Sequence, residues 1–409
     1  MCVSGHKRFQ SRGGVGWQND YQLFDGSILM RAYDRAVVPL RRIALLSFLF
    51  VVISGCTRQA EPVFVMSEEL QALPESHQRQ IKEVLTKFFG NPINPRLVIP
   101  VSEDMNELVD VFDPDRVKHG AAVFNRRCVG CHGITGDGNG EAAPYLQPKP
   151  RDYRKGIFKF TSTPYGAKPN HADLARVIRR GAKGTSMPAF PFLPDEDVRD
   201  VIDYVILLSY RGELERSVAQ IAELDYDADE ELDPFEFTDA MSRIHDSWQQ
   251  AEYLGVLPVT AQPKYSDETI LAGRKAFLSR GCSKCHGDNA RGQTEWLNRE
   301  YIAEQEAKPE AEREKINFDA WGEPAPAADL TAGMLHGGRR PIDIYRRIYT
   351  GINGTPMPAF NQALAAEPET IWHLVHYALS VVEHREVEGL DEITAPSAND
   401  QSGSPESEN

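Results

Sequence analysis

The chain runs to 409 residues with a net charge of −15; 41% of it is hydrophobic and 26% charged. That balance excludes wholesale disorder and collagen-like repetition, and the length suggests two or three domains. The acidity argues against a nucleic-acid partner, because phosphate backbones attract basic faces, and favours a protein partner with a basic docking surface.

Residues 1–56 read as a targeting region rather than as fold. Arg41 and Arg42 precede an apolar core, Ile43 to Ile53, of eleven residues. A membrane-crossing helix needs roughly 20, whereas a signal-peptide core is of this shorter length. The run ends Ile53-Ser54-Gly55-Cys56, which resembles the lipobox of bacterial lipoproteins. The resemblance implies a lipidated Cys56 as mature N-terminus and a lipid anchor at the outer, periplasmic face of the cytoplasmic membrane. Translation from Met30 gives the signal an ordinary length and leaves Cys2 in an upstream extension. The alternative reading is an uncleaved hydrophobic anchor; both place the remainder outside the cytoplasm. The Arg41-Arg42 pair alone is weak evidence for a twin-arginine signal. This region holds seven Lys/Arg against three Asp/Glu, so the exported body is more acidic than the whole chain.

Residues 57–112 read as a tether and a helical N-terminal extension. Leu70, Leu73, Ile81, Val84 and Leu85 recur at helical spacing within 67–89, and the Pro- and Asn-rich stretch 91–112 lies extended over a neighbouring surface.

Two copies of one pattern follow. In residues 113–212, Asp113-Pro114 opens a helix whose Val117, Gly120, Ala121 and Phe124 share a face, and Cys128-Val-Gly-Cys131-His132 comes next. In residues 263–388, Ile270, Gly273 and Phe277 form the corresponding face ahead of Cys282-Ser-Lys-Cys285-His286. Each copy then reaches Gly, Gly-Thr and Met-Pro-Ala-Phe at identical offsets: Gly181, Gly184-Thr185 and Met187 to Phe190 against Gly351, Gly354-Thr355 and Met357 to Phe360. Each closes with a proline-opened helix, striped by Val198, Val201, Ile202, Val205 and Leu208 in one and by Ile371, Leu374, Val375, Ala378 and Leu379 in the other. Residues 213–262 read as an acidic linker with helical patches, and 389–409 as a disordered tail rich in Ser, Asp, Glu, Asn and Pro.

Cys-x-x-Cys-His is the attachment signature of covalent haem: two thiols bond the vinyl groups, and the adjacent imidazole is carried under the iron. Structural zinc would want its second cysteine pair within about 20 residues, far closer than Cys282 is to Cys131. A disulfide or a thioredoxin-like dithiol leaves the repeated histidine unexplained.

On these motifs each copy resembles a class I c-type cytochrome domain. The resemblance covers residues 113–384 and implies a mainly α chain of two tandem cytochrome c-like helical domains with a helical N-terminal extension. It implies two covalently bound haem c groups, on Cys128 and Cys131 and on Cys282 and Cys285. His132 and His286 become the proximal iron ligands, Met187 and Met357 the sixth. It also implies helix crossings in which Gly120 and Phe124 meet Tyr204, and Gly273 and Phe277 meet Tyr377. Pro144 and Pro326 match the proline whose carbonyl receives the proximal histidine proton. Thioether ligation favours ferrous iron and raises the potential. His171, His336, His373 and His376 compete as ligands, His336 being the main rival at the second iron.

From Cys131 to Met187 is 56 residues and from Cys285 to Met357 is 72, so the second copy has 16 extra, many in the charged stretch Asn298 to Lys315, read as a helix over one haem edge. Gly136 to Gly140 reads as a turn, not a phosphate loop. Residues 225–236 space oxygens like a calcium loop, but Glu230 stands where glycine is wanted and Pro234 fits poorly, so a solvated acidic linker is the plainer reading.

The function expected is single-electron transfer between membrane-bound redox proteins of a respiratory chain, free or as a subunit of an oxidase or dehydrogenase complex. The protein itself is expected not to be an enzyme. The rival from another class is a dihaem peroxidase, which needs a displaceable sixth ligand; a redox or gas sensor is a weaker third.

Overall fold

Helices carry almost all of the regular structure. The computed structural model describes residues 62–292, 299–309, 312 and 318–394. The targeting region with Cys2, Met30 and Cys56, part of Asn298 to Lys315, and residues 395–409 lie outside them. Two short helices, α1 (Glu68–Ala72) and α2 (Glu75–Phe89), lead into an antiparallel hairpin of β1 (Val98–Pro100) and β2 (Leu108–Asp110). Ser67 caps α1, and α2 buries Ile81, Leu85, Phe88 and Phe89. The extended stretch finds its surface: β1 packs on the helix at 234–251.

The first repeat contains α3 (Pro114–Arg127), α4 (Val129–His132), α5 (His171–Arg180) and the long α6 (Asp195–Asp225). Asp113 caps α3, accepting from Asp115 N at 2.9 Å and Arg116 N at 3.2 Å, with Pro114 in the first turn. After α7 (Pro234–Ala251) the second repeat supplies α8 (Asp267–Ser279), α9 (Ser283–His286), α10 (Arg299–Ala307), α11 (Pro341–Thr350) and α12 (Thr370–Val382). A capping box between Ser266 and Thr269 starts α8.

In each repeat the first and last helices cross at a glycine. A Cβ on Gly120 would stand 1.9 Å from the Asp200 carbonyl oxygen of α6, and one on Gly273 would stand 2.0 Å from that of His373 in α12. Only hydrogen fits there. One turn on, Phe124 meets Tyr204 with ring centroids 5.3 Å apart, and Phe277 meets Tyr377 at 5.0 Å. Both pairs sit in tilted or edge-on geometry, which aromatic quadrupoles favour. The expected stripes face inward: Val198, Val201, Ile202, Val205 and Leu208 are buried, as are Ile371, Leu374, Val375 and Leu379.

The segment at 213–262 is more than a linker with helical patches: it is packed into the first repeat's core. Helix α6 continues unbroken past residue 212 and buries Leu214, Val218, Ala219 and Ala222, and α7 buries Phe237, Ala240, Met241, Ile244 and Trp248 against it. The acidic average hides an apolar stripe at helical spacing. Pro234, which fits a calcium loop poorly, starts α7 behind its cap Asp233, while Glu236 accepts from the Tyr226 hydroxyl. The carboxylates of 225–236 form no metal-like cluster among the described residues. The tail also begins ordered, with Leu390 and Ile393 packed on the second core. No helix among the described residues is long and apolar enough to cross a membrane.

Gly120→Ala and Gly273→Ala should each destabilise the protein by about 1–3 kcal/mol or more, because backbone must separate to admit the methyl group. Denaturant titration checks this. Ala121→Gly, one residue along α3, should cost only about 1 kcal/mol of helix propensity.

Candidate functional site

Both cysteine pairs lie on single helical turns fixed by the same bonds. In α4, His132 N donates to the Cys128 carbonyl at 2.9 Å; in α9, His286 N donates to that of Cys282 at 3.0 Å. Each turn ends in a left-handed glycine, Gly133 or Gly287, and each histidine carbonyl accepts from a later glycine, Gly138 N at 2.9 Å or Gly292 N at 2.8 Å. The Gly136 to Gly140 segment is thus the turn that closes over the first thiol site.

The imidazoles are anchored alike. His132 Nδ1 donates to the Arg151 carbonyl and His286 Nδ1 to the Ala328 carbonyl, both at 3.1 Å. The acceptors are therefore not Pro144 and Pro326: Pro144 lies in an earlier 3₁₀ turn, and Pro326 stops two residues short. A carbonyl only accepts, so each Nδ1 carries the proton and each Nε2 the lone pair. Burial lowers the pKa of both rings, which favours the neutral form. It also pushes the Cys128 and Cys282 thiols up to about 11. Tyr153 stacks on His132 at 4.7 Å and its hydroxyl donates to Nε2 at 3.1 Å; His286 Nε2 has no hydrogen-bond partner among the described residues.

Sequence reasoning missed Arg151 and Ala328 because a backbone carbonyl leaves no residue signature. One signal was available: Asp152 and Asp329 directly follow them, and each caps a 3₁₀ turn, Tyr153–Lys155 or Leu330–Ala332.

The methionine loops repeat bond for bond. The Met187 carbonyl accepts from Ala182 N, and that of Met357 from Ile352 N, both at 3.2 Å. The Thr185 hydroxyl accepts from Met187 N at 3.1 Å and donates to the Ala182 carbonyl at 2.8 Å. Thr355 does the same, at 3.2 and 2.8 Å, for Met357 N and the Ile352 carbonyl. Phe190 N and Phe360 N tie the loops back to the Ile178 and Ile348 carbonyls at 3.0 Å. Gly181 and Gly351, at φ +67° and +72°, make room for the methionine carbonyls, 2.7 Å from where a Cβ would stand.

Three of the four competing histidine rings, those of His171, His336 and His376, are engaged elsewhere. His171 pairs with Glu252 through Nδ1 at 2.6 Å and with the buried Asp203 through Nε2 at 3.6 Å. His376 Nδ1 meets the Thr269 hydroxyl at 2.9 Å, and His373 lends its carbonyl to the Gly273 crossing. His336, the rival proposed for the second iron, reaches the first repeat instead, where Nδ1 donates to the Lys183 carbonyl and the ring lies against Gly184.

Residues 115–205 match the family described as cytochrome C oxidase, cbb3-type, subunit III. This stretch is a cytochrome c domain. Such a domain implies covalently bound haem c and places the chain among proteins that move electrons through haem. A solved structure, the reducing HAO-like protein complex Kustc0457/Kustc0458 of Kuenenia stuttgartiensis, is 26% identical, with 64% of this chain and 96% of that one covered and a TM-score of 0.43. No curated protein matches the chain.

The cytochrome domain's residues fit a haem. Two thiols and an imidazole stand on one turn, and the imidazole is oriented through Nδ1 so that Nε2 is the donor atom. Haem bound there would supply an iron to that nitrogen in place of the Tyr153 hydroxyl, which bonds it here.

The His171 ion pairs generate a pH dependence. The Asp203 carboxylate raises the His171 pKa, with Glu252 adding to it and burial opposing. A raised folded-state pKa contributes stability that is full below the ordinary histidine value and is lost as pH rises through the higher folded value. Denaturation midpoints should therefore fall across that interval as pH increases, and His171→Gln should flatten that part of the profile.

Proposed function

We propose that this chain is an exported dihaem c-type cytochrome, lipid-anchored through Cys56. It passes single electrons between membrane-associated redox partners of a respiratory chain, either as a tethered shuttle or as the cytochrome subunit of an oxidase or dehydrogenase complex. One haem is held by Cys128 and Cys131 with His132 and Met187 as axial ligands; the other is held by Cys282 and Cys285 with His286 and Met357. The carrying observation is the duplication: the second repeat, outside the matched residues, reproduces the thiol turn, the Nδ1 bond of the histidine to a backbone carbonyl and the bonds of the methionine loop.

Bound haem supplies a one-electron iron couple, which a thioether ligand biases toward the ferrous state. The chain's own residues do the rest. The Arg151 and Ala328 carbonyls fix the imidazole planes, and Thr185 and Thr355 hold the methionine loops rigid. Rigid ligands suit electron transfer, because little then reorganises when the charge changes. Loops tied at several points also speak against the peroxidase alternative, which requires a sixth ligand that leaves. The acidic body suits basic partners and a salt-sensitive association.

Matured protein should carry two haems by intact mass and keep its pigment after denaturation and solvent extraction. Replacing Cys128 and Cys131 by Ala, or Cys282 and Cys285, should remove one haem each; a wild-type mass with a single haem overturns the dihaem reading. Met187→Ala or Met357→Ala should lower one midpoint potential and diminish the weak red absorption of ferric thioether ligation, and an unchanged titration refutes that ligand. Cys56→Ala should release the protein from the membrane fraction.

A further inference from the structure

The second repeat's insertion does more than cover its own site. From His286 to its carbonyl acceptor is 42 residues, against 19 from His132 to its own, so the extra chain lies between the second thiol turn and Ala328. The end of that insertion, residues 318–324, crosses to the first repeat. It is closed by a bridge between Phe318 and Pro324 and by an aspartate turn, in which Asp319 accepts from Trp321 N at 2.9 Å and Glu323 N at 3.0 Å. Lysines of the first repeat bind it: Lys159 pairs with Asp319 at 2.8 Å, Lys149 with Glu323 at 2.6 Å, and Lys155 donates to the Ala320 carbonyl at 2.8 Å.

Trp321 stands at the centre of this strap and touches both sites. Its ring lies 3.5 Å from the Arg151 guanidinium, and its Nε1 donates to the Asp152 carbonyl at 3.2 Å. Arg151 is the residue whose carbonyl orients His132. On the other side, a Cβ on Gly354 would stand 2.8 Å from Trp321 Cζ3, and the Gly354 carbonyl accepts from Ala320 N at 2.8 Å. Gly354 precedes Thr355, which holds Met357.

The surrounding contacts are reciprocal. Gly354 also meets Ile157, the residue after the left-handed Gly156, whereas Gly184 of the first methionine loop meets Met334, the residue after the left-handed Gly333. Phe160 meets Gly337, its counterpart in the second repeat. Each methionine loop thus rests on the other repeat's histidine-bearing side. Trp321 belongs to the insertion, and among the described residues only one of these two junctions has such a bridge.

Building on the dihaem reading, we propose that Trp321 is a positioning residue shared by both sites: it fixes the carbonyl that orients His132 and the loop that presents Met357. One side chain thereby sets a proximal ligand in one site and a distal ligand in the other.

The test uses full-length matured protein with haem content confirmed by intact mass. Trp321→Ala should move both one-electron waves in a redox titration and broaden the ferric electron paramagnetic resonance signals of both haems. Trp321→Phe keeps a ring against Gly354 and Arg151 but loses the bond to Asp152; it should return the second site toward wild type and leave the first displaced. A Trp321→Ala variant that lowers melting temperature while both waves and both signals stay put, or that moves only one site, overturns the shared role. A wild type lacking the second haem overturns the dihaem reading itself, and the mass spectrum reads that outcome separately.

Discussion

Each repeat depends on a helix crossing so close that a hydrogen atom must stand where a side chain normally would. Gly120 and Gly273 bring the opening helix against the carbonyls of Asp200 and His373, and the Phe124–Tyr204 and Phe277–Tyr377 pairs lock that contact one turn further on. The thiol turn leaves α3 directly, with Cys128 N still donating to the Phe124 carbonyl at 2.7 Å. The crossing therefore decides where the thiols and the imidazole stand. At its other end the closing helix α6 begins just after the methionine loop, at Asp195 behind Phe190. One contact between two helices thus governs where the histidine turn and the methionine loop stand, and close packing transmits any error in it to both.

Charge is distributed with the same economy. Arg116 reaches the buried Asp203 at 2.5 Å, Arg176 pairs with Asp173 at 2.8 Å, and Arg211 with Glu215 at 2.8 Å. Glu215 also accepts from Ser67 N, which joins the N-terminal extension to α6. Such buried pairs contribute little net stability but are costly to break, about 3–5 kcal/mol when one partner is removed. Arg116–Asp203 holds the opening helix to the closing one, and Glu215 ties the N-terminal extension to α6. The second repeat has no comparable layer among its described residues; its addition is the insertion, which reaches across to the first site. The two copies share the geometry of their histidine turns and methionine loops and differ in what surrounds it.

The sequence by itself determined whatever depends on residue type at short range. Two thiols and an imidazole within five residues, a Met-Pro-Ala-Phe loop behind Gly and Gly-Thr, and apolar stripes of period 3.6 fix chemistry and helical class without knowledge of the rest of the chain, because each is satisfied within a turn or along one helix face. The caps Asp113 and Ser266 were legible for the same reason. In the region at 213–262 helical patches were legible but their burial was not, because the buried faces appear only when α6 and α7 are laid side by side.

Tertiary structure decided everything carried by backbone atoms or by residues far apart in the chain. The carbonyls of Arg151 and Ala328 have no side-chain signature and reach their histidines from 19 and 42 residues away. His336 looked like a ligand for its own repeat and lies instead on the other, and Trp321 sits within a charged insertion yet joins two sites. Local sequence specifies which groups are able to bind iron; the three-dimensional path of the chain sets which groups orient them, because a hydrogen bond or a ring contact depends on distance in space and not on separation along the chain.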